Sequence, residues 1–207
     1  MIITPNQPEL DLETILESDA IDIPGLIYIP KYINIDEQTK LLNIIDQQAW
    51  SIKLQRRIQH YGYRYDYKKG SLTSSRYLGS LPDWAQFFAS RFLSEHLTAK
   101  ISDQLIVNEY QPGQGISSHI DCIPCFGNTI AVLSLASACV MNFTHSQTKE
   151  KAALPLLSGS LLVLKGEARY NWQHSIIGRK QDNYGGRQFV RNRRVSLIFR
   201  EVLFPYK

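Results

Sequence analysis

Two histidines and one aspartate have the types and spacing of ligands for a single metal ion. His119 and Asp121 stand two residues apart, so an extended segment would direct both side chains to the same side. His174 ends a second extended segment further along the chain and supplies a third ligand. Two imidazoles and one carboxylate on a β scaffold form a facial triad, which leaves positions on a non-haem Fe(II) ion open for a co-substrate and dioxygen.

Polar residues that could bind a small acid lie on both sides of these ligands in the sequence. Asn108 and Tyr110 alternate on a segment that precedes the H-x-D motif, which places both on one face. The strand-like run after the distal histidine directs Arg194, Ser196 and Arg200 to one face in the same way. An inward-facing arginine needs an anion, and its planar fork pairs bidentately with a carboxylate.

The elements that must position these residues fall into a helical part followed by a β-rich part. Gly25–Tyr32 predicts a strand that Pro30 places at a sheet edge. Apolar spacing then predicts a helix with Asn34 as N-cap that ends near Trp50, and a second helix after Pro82. Short β-branched or aromatic runs predict the remaining strands, at Leu105–Tyr110, Thr129–Leu135, Cys139–Thr144, Ser160–Leu164, Tyr170–His174 and Val195–Val202.

This order of elements predicts an α+β, mainly β fold, with an N-terminal helical layer against a β-sandwich or jelly roll. The chain has 207 residues, of which 43% are hydrophobic and 20% charged, so it fits one domain with its own core and is unlike a disordered chain. We expect residues 25–207 to form that domain and the proline-containing residues 1–24 to form a loosely attached arm.

Charge, hydropathy and cysteine use set weaker expectations. The net charge of +4 permits a polyanionic partner without requiring one. The apolar stretches are shorter than the roughly 20 residues that cross a bilayer, and the N-terminus lacks a signal-peptide pattern, so we expect a cytoplasmic protein without membrane contact. An odd count of three cysteines favours a reducing compartment, and we expect Cys122 and Cys125 to be ordinary thiols rather than a zinc or redox site.

Three motifs of the chain resemble those of the AlkB-type Fe(II)/2-oxoglutarate dioxygenase family, over most of the chain from residue 25 to 202. They read N-E-Y-Q-P-G-Q-G-I-S-S-H-I-D at 108–121, G-E-A-R-Y-N-W-Q-H-S-I at 166–176 and R-V-S-L-I-F-R at 194–200. The resemblance implies a double-stranded β-helix fold. It further implies an enzyme that oxidises its substrate with Fe(II), 2-oxoglutarate and dioxygen. It also implies that His119, Asp121 and His174 hold iron at the catalytic centre, that Asn108 and Arg200 contact the 1-carboxylate end of 2-oxoglutarate, and that Tyr110, Arg194 and Ser196 hold its 5-carboxylate.

A basic and aromatic segment, residues 56–69, has the composition that binds phosphates by charge and bases by stacking. By the same resemblance it covers a flipped or single-stranded base. The alternative is a solvated β-hairpin whose tyrosines pack on the sheet. The candidate substrate residues are Arg56, Arg57, His60, Tyr61 and Tyr63, with Arg169 and Trp172 near the distal histidine as further candidates.

The resemblance predicts a monomeric enzyme that oxidises alkylated or modified bases in DNA or RNA, with oxidative demethylation as the default. The amino-acid sequences of the motifs are similar to those of one branch of AlkB homologues, which hydroxylates a modified wobble uridine in tRNA. Members of that branch usually carry extra domains. Hydroxylation of that kind is the first alternative. A protein or small-molecule hydroxylase and a non-catalytic binding module are the others.

Overall fold

The computed structural model describes residues 22–52, 55–65 and 74–203. Three helices lie in this part of the chain, α1 Ile35–Asp46, α2 Asp83–Ser94 and α3 Gly166–Tyr170, together with a 3-10 turn at Ser74–Arg76. The strands are β1 Leu26–Ile29, β2 Arg57–Tyr61, β3 Gln104–Tyr110, β4 Ile116–His119, β5 Phe126–Leu135, β6 Cys139–His145, β7 Lys151–Leu156, β8 Leu161–Lys165, β9 Trp172–Ile176, β10 Gln181–Tyr184, β11 Arg187–Val190 and β12 Arg194–Val202.

Helix α1 begins at a capping box. The Asn34 side chain accepts a 2.9 Å hydrogen bond from the backbone N–H of Glu37, whose carboxylate accepts one from the backbone N–H of Asn34. The predicted N-cap is therefore confirmed. The helix ends at Asp46 rather than near Trp50, because Ser51 already exchanges two backbone hydrogen bonds with a residue of β2.

The major sheet has six antiparallel strands in the order β1-β8-β5-β12-β3-β2. Strand β1 lies at one edge, as Pro30 just after its C-terminal end predicted. Strand β2 forms the opposite edge, beside β3. Helices α1 and α2 cover one face of this sheet. Their contact is an apolar cluster that includes Leu41, Ile45, Phe92, Leu105, Val107, Leu133, Leu197 and Phe199.

The minor sheet has four antiparallel strands in the order β4-β9-β6-β7, and it packs on the other face of the major sheet. A second apolar cluster fills the space between the sheets and includes Phe126, Ile130, Val132, Met141, Phe143 and Trp172. The two sheets form a jelly roll with a helical layer outside it, which confirms the predicted fold class. No helix among the described residues is long and apolar enough to span a membrane.

The alternation of β3 and β12 sorts their side chains between these two interfaces. In β12, Val195, Leu197 and Phe199 pack in the cluster that includes the helices. The residues that alternate with them along the strand therefore face the minor sheet. Arg194 and Arg200 are two of these residues, so both lie inside the jelly roll. The prediction that the β12 arginines share one inward face is confirmed.

Three expectations about the chain's organisation need correction. Tyr170 does not belong to a strand, because it ends helix α3, and β9 starts only at Trp172. Strands β4, β7, β10 and β11 were not predicted, and β2 lies in the segment for which a β-hairpin was only the alternative. Strand β4 is short and serine-rich, and β7 contains Pro155. The predicted arm is described only from residue 22 onward, and there Ile23 is buried in the cluster between the sheets, so its end is packed rather than loose.

Candidate metal and co-substrate site

His119 and His174 lie side by side on neighbouring strands of the minor sheet. They are direct cross-strand partners of β4 and β9, and their ring centroids are 4.4 Å apart. Nδ1 of His119 is 2.8 Å from the backbone oxygen of Ser117, which leaves Nε2 as the ring atom for a metal. Burial lowers the pKa of His174 to about 4, although the nearby Asp121 carboxylate opposes this shift. His174 is therefore neutral at physiological pH, as a metal-binding imidazole must be.

Asp121 follows β4 and brings a buried carboxylate to the two imidazoles. Its Oδ2 lies 3.9 Å from Nε2 of His174, and its Oδ1 accepts a 2.7 Å hydrogen bond from the Arg200 guanidinium. Burial by itself would raise the pKa of Asp121, but the nearby positive charge, above all that of the Arg200 guanidinium, outweighs burial and holds this pKa below its ordinary value. The carboxylate is therefore ionised, which a metal ligand also requires.

The three predicted ligands are adjacent but do not yet surround a common point. Within 22–52, 55–65 and 74–203, no set of three His, Cys, Asp or Glu side chains is arranged closely enough to hold a metal ion as it stands. Arg200 hydrogen-bonds to Oδ1 of Asp121, whereas Oδ2 is the oxygen nearer to His174. The donor types still fit iron, since two neutral imidazoles and one carboxylate are the set that non-haem Fe(II) takes.

A cavity between the sheets unites the predicted metal ligands with the predicted co-substrate residues. Strands β3 and β12 form one wall and β4 and β9 form the other. Its polar lining consists of Arg56, Asn108, Tyr110, His119, Asp121, His174, Arg194, Ser196 and Arg200. Its apolar lining consists of Ile106, Ile116, Val132, Met141, Ile176 and Ile198. All eight residues predicted to bind metal or co-substrate are thus brought together, and their roles stay predictions.

Arg194 is a buried guanidinium that has a donor to spare. One of its terminal nitrogens donates a 2.8 Å hydrogen bond to Oγ of Ser134. Its Nε is buried and has no hydrogen-bond partner among the described residues. An unpaired buried donor costs about 1 to 3 kcal/mol, so this atom calls for an acceptor such as a carboxylate of 2-oxoglutarate. The cavity therefore fits the co-substrate on its own geometry.

Two further residues of the site escaped the sequence analysis. Ser134 is the cross-strand partner of Ser196, and the alternation of β5 could have placed it on the cavity face. Gln104 accepts a 2.8 Å hydrogen bond from Nε of Arg200 and donates one of 3.3 Å to the backbone oxygen of Tyr63. This path links Asp121, through Arg200, to the basic and aromatic segment.

The residues of β2 divide between the two faces of the sheet edge. Arg57 forms a bidentate ion pair with Glu109, with distances of 2.5 and 2.7 Å, and lies over the Trp50 ring. Tyr61 packs edge-on against Trp84 at 5.4 Å between ring centroids. Both side chains face the helical layer, because β2 alternates with a period of two. Their placement does not support the prediction that they contact substrate.

Other members of the basic and aromatic segment lie nearer the cavity. Arg56 lines it and donates a 3.1 Å hydrogen bond to Oδ1 of Asn108. His60 is partly buried, and burial lowers its pKa to about 4, helped by the charges of Arg64 and Arg200. Tyr63 forms a β-bridge with Tyr77, and their ring centroids are 4.9 Å apart. Residues 66–69 of the predicted lid lie outside the described residues.

Arg169 and Trp172 are buried structural residues in this fold, contrary to their prediction as substrate residues. Arg169 is 2% exposed because it lies on α3 with its guanidinium turned inward. It donates to the backbone oxygens of Asp121, Cys122 and Gly127 at 3.0, 3.4 and 3.4 Å. Trp172 is 5% exposed and packs in the cluster between the sheets.

The cysteines also depart from expectation. Cys122 and Cys125 form a disulfide across the turn that follows Asp121, with 5.2 Å between their Cα atoms. The turn itself brings them within reach, since the backbone N–H of Cys125 donates to the oxygen of Cys122 at 3.2 Å. The prediction of ordinary thiols is therefore wrong for Cys122 and Cys125. The third cysteine, Cys139, is free and buried. The cytoplasmic location, which rested partly on this reasoning, stays a prediction.

Comparison with known proteins identifies relatives over most of the chain. Residues 43–200 match the sequence profile of the 2OG-Fe(II) oxygenase superfamily. The chain is 34% identical over 210 residues to the "Alkylated DNA repair protein ALKBH8 homolog" of Arabidopsis thaliana, covering 90% of this chain and 61% of that protein. It is 34% identical over 189 residues to the "tRNA (carboxymethyluridine(34)-5-O)-methyltransferase ALKBH8" of Macaca fascicularis, covering 86% of this chain.

The chain spans only part of the length of these two relatives, 61% of the plant protein and 28% of the macaque protein. Among solved structures, OsALKBH1 superposes with a TM-score of 0.65 at 16% identity, covering 86% of this chain and 97% of that one. At this identity the superposition bears on the fold alone. It agrees with the jelly roll described above.

Proposed function

We propose that this chain, which belongs to the 2OG-Fe(II) oxygenase superfamily and is AlkB-like within it, oxidises alkylated or modified bases in nucleic acid. Enzymes of this superfamily use Fe(II), 2-oxoglutarate and dioxygen. The observation that carries the proposal is the cavity in which two histidines and an aspartate meet a buried arginine that has a donor to spare. Oxidative removal of an N-alkyl group is the default reaction.

The residues of the cavity divide the work of holding iron and 2-oxoglutarate. His119, Asp121 and His174 would hold iron, which when bound supplies the dioxygen chemistry that 2-oxoglutarate drives by losing carbon dioxide. Arg194 would bind the 5-carboxylate at the inner end of the cavity, where its Nε lacks a partner among the described residues. Arg200 would contact the 1-carboxylate while it keeps Asp121 ionised.

The apolar lining of the cavity has a separate task. Ile106, Ile116 and Ile198 line the cavity together with the charged groups, and their apolar side chains would limit the water that reaches those groups. In a drier site the attraction between Arg194 and a carboxylate is stronger, because the effective dielectric constant is lower. The same exclusion protects a reactive oxidant from side reactions, so that oxidation is directed to a substrate bound at the mouth.

A nucleic-acid substrate is supported by the aromatic residues next to the site and by the names of the relatives. Tyr63 lies beside Tyr77, whose side chain is 53% exposed, and Gln104 connects Tyr63 to Arg200. Exposed aromatic rings bind unpaired bases by stacking. One relative is named for repair of alkylated DNA and another for modification of tRNA.

Hydroxylation of a modified wobble uridine in tRNA is the second candidate. It is favoured by the relatives of 34% identity that carry the ALKBH8 name. The two reactions differ in the fate of the new hydroxyl group. A hydroxylated N-methyl group leaves as formaldehyde and restores the base, whereas a hydroxyl group on carbon stays in the product.

Mass spectrometry of nucleosides tests the proposal. Total DNA and tRNA are digested before and after incubation with the protein, Fe(II) and 2-oxoglutarate, with the His174→Ala variant as the matched control. Loss of an N-methylated nucleoside supports demethylation, and a gain of 16 mass units on a uridine derivative supports hydroxylation (about the mass of one oxygen atom). If the wild-type protein converts 2-oxoglutarate to succinate but changes no nucleoside, the substrate is a protein or a small molecule.

A further inference from the structure

Arg56 is a third guanidinium of the co-substrate cavity, beside Arg194 and Arg200. The composition of its segment predicts a phosphate-binding lid, yet the structure places Arg56 against two residues of β3 that line the cavity. Its Nε donates a 3.1 Å hydrogen bond to Oδ1 of Asn108, and its guanidinium lies 5.6 Å from the centroid of the Tyr110 ring. On the premise of the proposed function, we infer that Arg56 is a positioning residue for 2-oxoglutarate, which it serves by fixing the side-chain amide of Asn108.

The chemistry of the contact determines which way the amide must point. A guanidinium carries only donors, so the atom of Asn108 that faces Arg56 has to be the oxygen. The nitrogen, with its two N–H donors, is then the amide atom left to meet a carboxylate in the cavity. The reversed amide would present an acceptor to the carboxylate and a donor to Arg56, and both contacts would be repulsive.

Tyr110 holds the guanidinium of Arg56 where it can orient the side-chain amide of Asn108. Arg56 and Arg194 both lie 5.6 Å from the centroid of the Tyr110 ring, so the ring has a cationic contact with each. Asn108 and Tyr110 stand two residues apart on β3 and face the same way. One side chain, that of Arg56, can therefore contact both of them.

Arg57 provides the matched control, because it is the next residue and has the same charge. It faces the helical layer, where Glu109 and the Trp50 ring bind it. A contribution from net charge alone would be equal for the two arginines. A contribution through Asn108 belongs to Arg56 only.

The test is calorimetric titration of 2-oxoglutarate into protein loaded with Mn(II), a metal that fills the site without turnover. We expect Arg56→Met to raise the dissociation constant about tenfold, the order of effect of one hydrogen bond from a charged donor. Arg57→Met should leave the constant within about twofold of wild type, since its side chain lies outside the cavity. Melting temperatures measured in parallel give the folded fraction, and Arg56→Lys, which keeps a donor, should recover part of the affinity.

A double-mutant cycle separates action through Asn108 from direct contact with the co-substrate. If Arg56 acts through the amide, adding Arg56→Met to Asn108→Ala produces no further loss of affinity. Full additivity of the two losses would overturn the positioning role. Equal affinity of Arg56→Met and wild type would also overturn it, whereas failure of wild-type protein to bind 2-oxoglutarate at all would refute the proposed function instead.

Discussion

The guanidinium of Arg200, on strand β12 of the major sheet, donates a 2.7 Å hydrogen bond to Oδ1 of Asp121, which follows strand β4 of the minor sheet. The same guanidinium donates to Gln104 and lies 4.0 Å from the centroid of the Phe126 ring, so its position is fixed from three sides. A cation held in this way keeps the carboxylate ionised and stabilises negative charge at the point where two strands of different sheets meet. The predicted metal ligand and the predicted co-substrate residue therefore depend on one another.

Loss of either predicted histidine ligand should abolish the visible charge-transfer band of the protein loaded anaerobically with Fe(II) and 2-oxoglutarate. The two remaining ligands hold the ion poorly, and among the described residues that line the cavity no further His, Cys, Asp or Glu replaces the lost one. The variants are His119→Ala and His174→Ala, measured by absorption spectroscopy. His96→Asn is the control, since His96 lies outside the cavity and asparagine tolerates its φ of +57°. An undiminished band in both alanine variants would contradict the prediction that His119, Asp121 and His174 bind the iron.

Arg194→Met should weaken 2-oxoglutarate binding by about 2 to 5 kcal/mol, the range for truncation of one partner in a buried charge pair. Iron affinity should change little, because Arg194 contacts none of the three predicted ligands. Ser134→Ala should have a smaller effect, about 1 kcal/mol, since it removes one hydrogen bond from the same guanidinium. The dependence of succinate release on 2-oxoglutarate concentration measures both. An unchanged affinity in Arg194→Met would place the carboxylate anchor elsewhere.

The sequence alone could predict most of the inner face of the jelly roll, because strand alternation is a strong constraint once a strand is recognised. Asn108, Tyr110, Arg194 and Ser196 were placed on the cavity side by counting residues. The same reasoning failed for β2. In that segment two arginines are adjacent, and the register that separates Arg56 from its neighbour depends on pairing with β3, which composition does not reveal.

Other misassignments have a different cause. Arg169 looked available to substrate because a charged residue near a histidine ligand is usually solvated. Only the turn that follows Asp121, with its inward-facing carbonyl groups, makes burial of that guanidinium possible. The Cys122–Cys125 disulfide in the same turn depends equally on backbone geometry that spacing alone does not fix.

Arg169→Met should lower iron affinity without affecting oligonucleotide binding by the folded protein. The guanidinium holds the backbone oxygen of Asp121 and the turn that follows it, so its loss frees a predicted ligand and leaves buried carbonyl groups unpaired. We expect destabilisation of about 1 to 3 kcal/mol as well. Metal titration and denaturant unfolding measure the two effects. Weakened oligonucleotide binding with unchanged iron affinity would contradict this structural role and support the original prediction that Arg169 contacts substrate.

Asp182→Asn should destabilise the fold by about 3 to 5 kcal/mol at neutral pH, because it leaves Arg191 buried without its charge partner. The two side chains form a bidentate ion pair with distances of 2.5 and 2.8 Å. Burial opposes ionisation of Asp182, but hydrogen bonds from Arg191 and from the backbone N–H of Val140 lower its pKa below 3.8. Its stabilising contribution is therefore complete above about pH 4 and is lost as the pH falls through the folded-state pKa.

Unfolding in denaturant over a pH series checks this prediction. The free energy of unfolding of the wild type should fall more steeply than that of Asp182→Asn as the pH drops below about 4, because only the wild type takes up the extra proton on unfolding. Parallel curves for the two proteins would show that Asp182 titrates alike in the folded and unfolded states. A variant as stable as the wild type at neutral pH would contradict the buried ion pair itself.

The paired tyrosines Tyr63 and Tyr77 should contribute to nucleic-acid binding by stacking rather than by charge. Tyr63→Ala and Tyr77→Ala should each weaken binding of a single-stranded oligonucleotide by about 1 to 3 kcal/mol, with an unchanged salt dependence. Arg57→Met should change neither quantity, because its guanidinium is bound to Glu109 on the other face of the sheet. The measurement is oligonucleotide titration at several salt concentrations, with melting temperatures recorded for each variant.

These variants also distinguish a binding surface from simple packing between the two rings. Tyr63 and Tyr77 contact each other, so packing alone predicts a lower melting temperature for both alanine variants and normal binding by the folded fraction. Stacking on a base instead predicts weaker binding at temperatures where both variants are fully folded. Because Tyr77 is half-exposed, its loss should affect binding more than stability. Normal binding by both variants at every salt concentration would favour a protein or small-molecule substrate for the oxygenase.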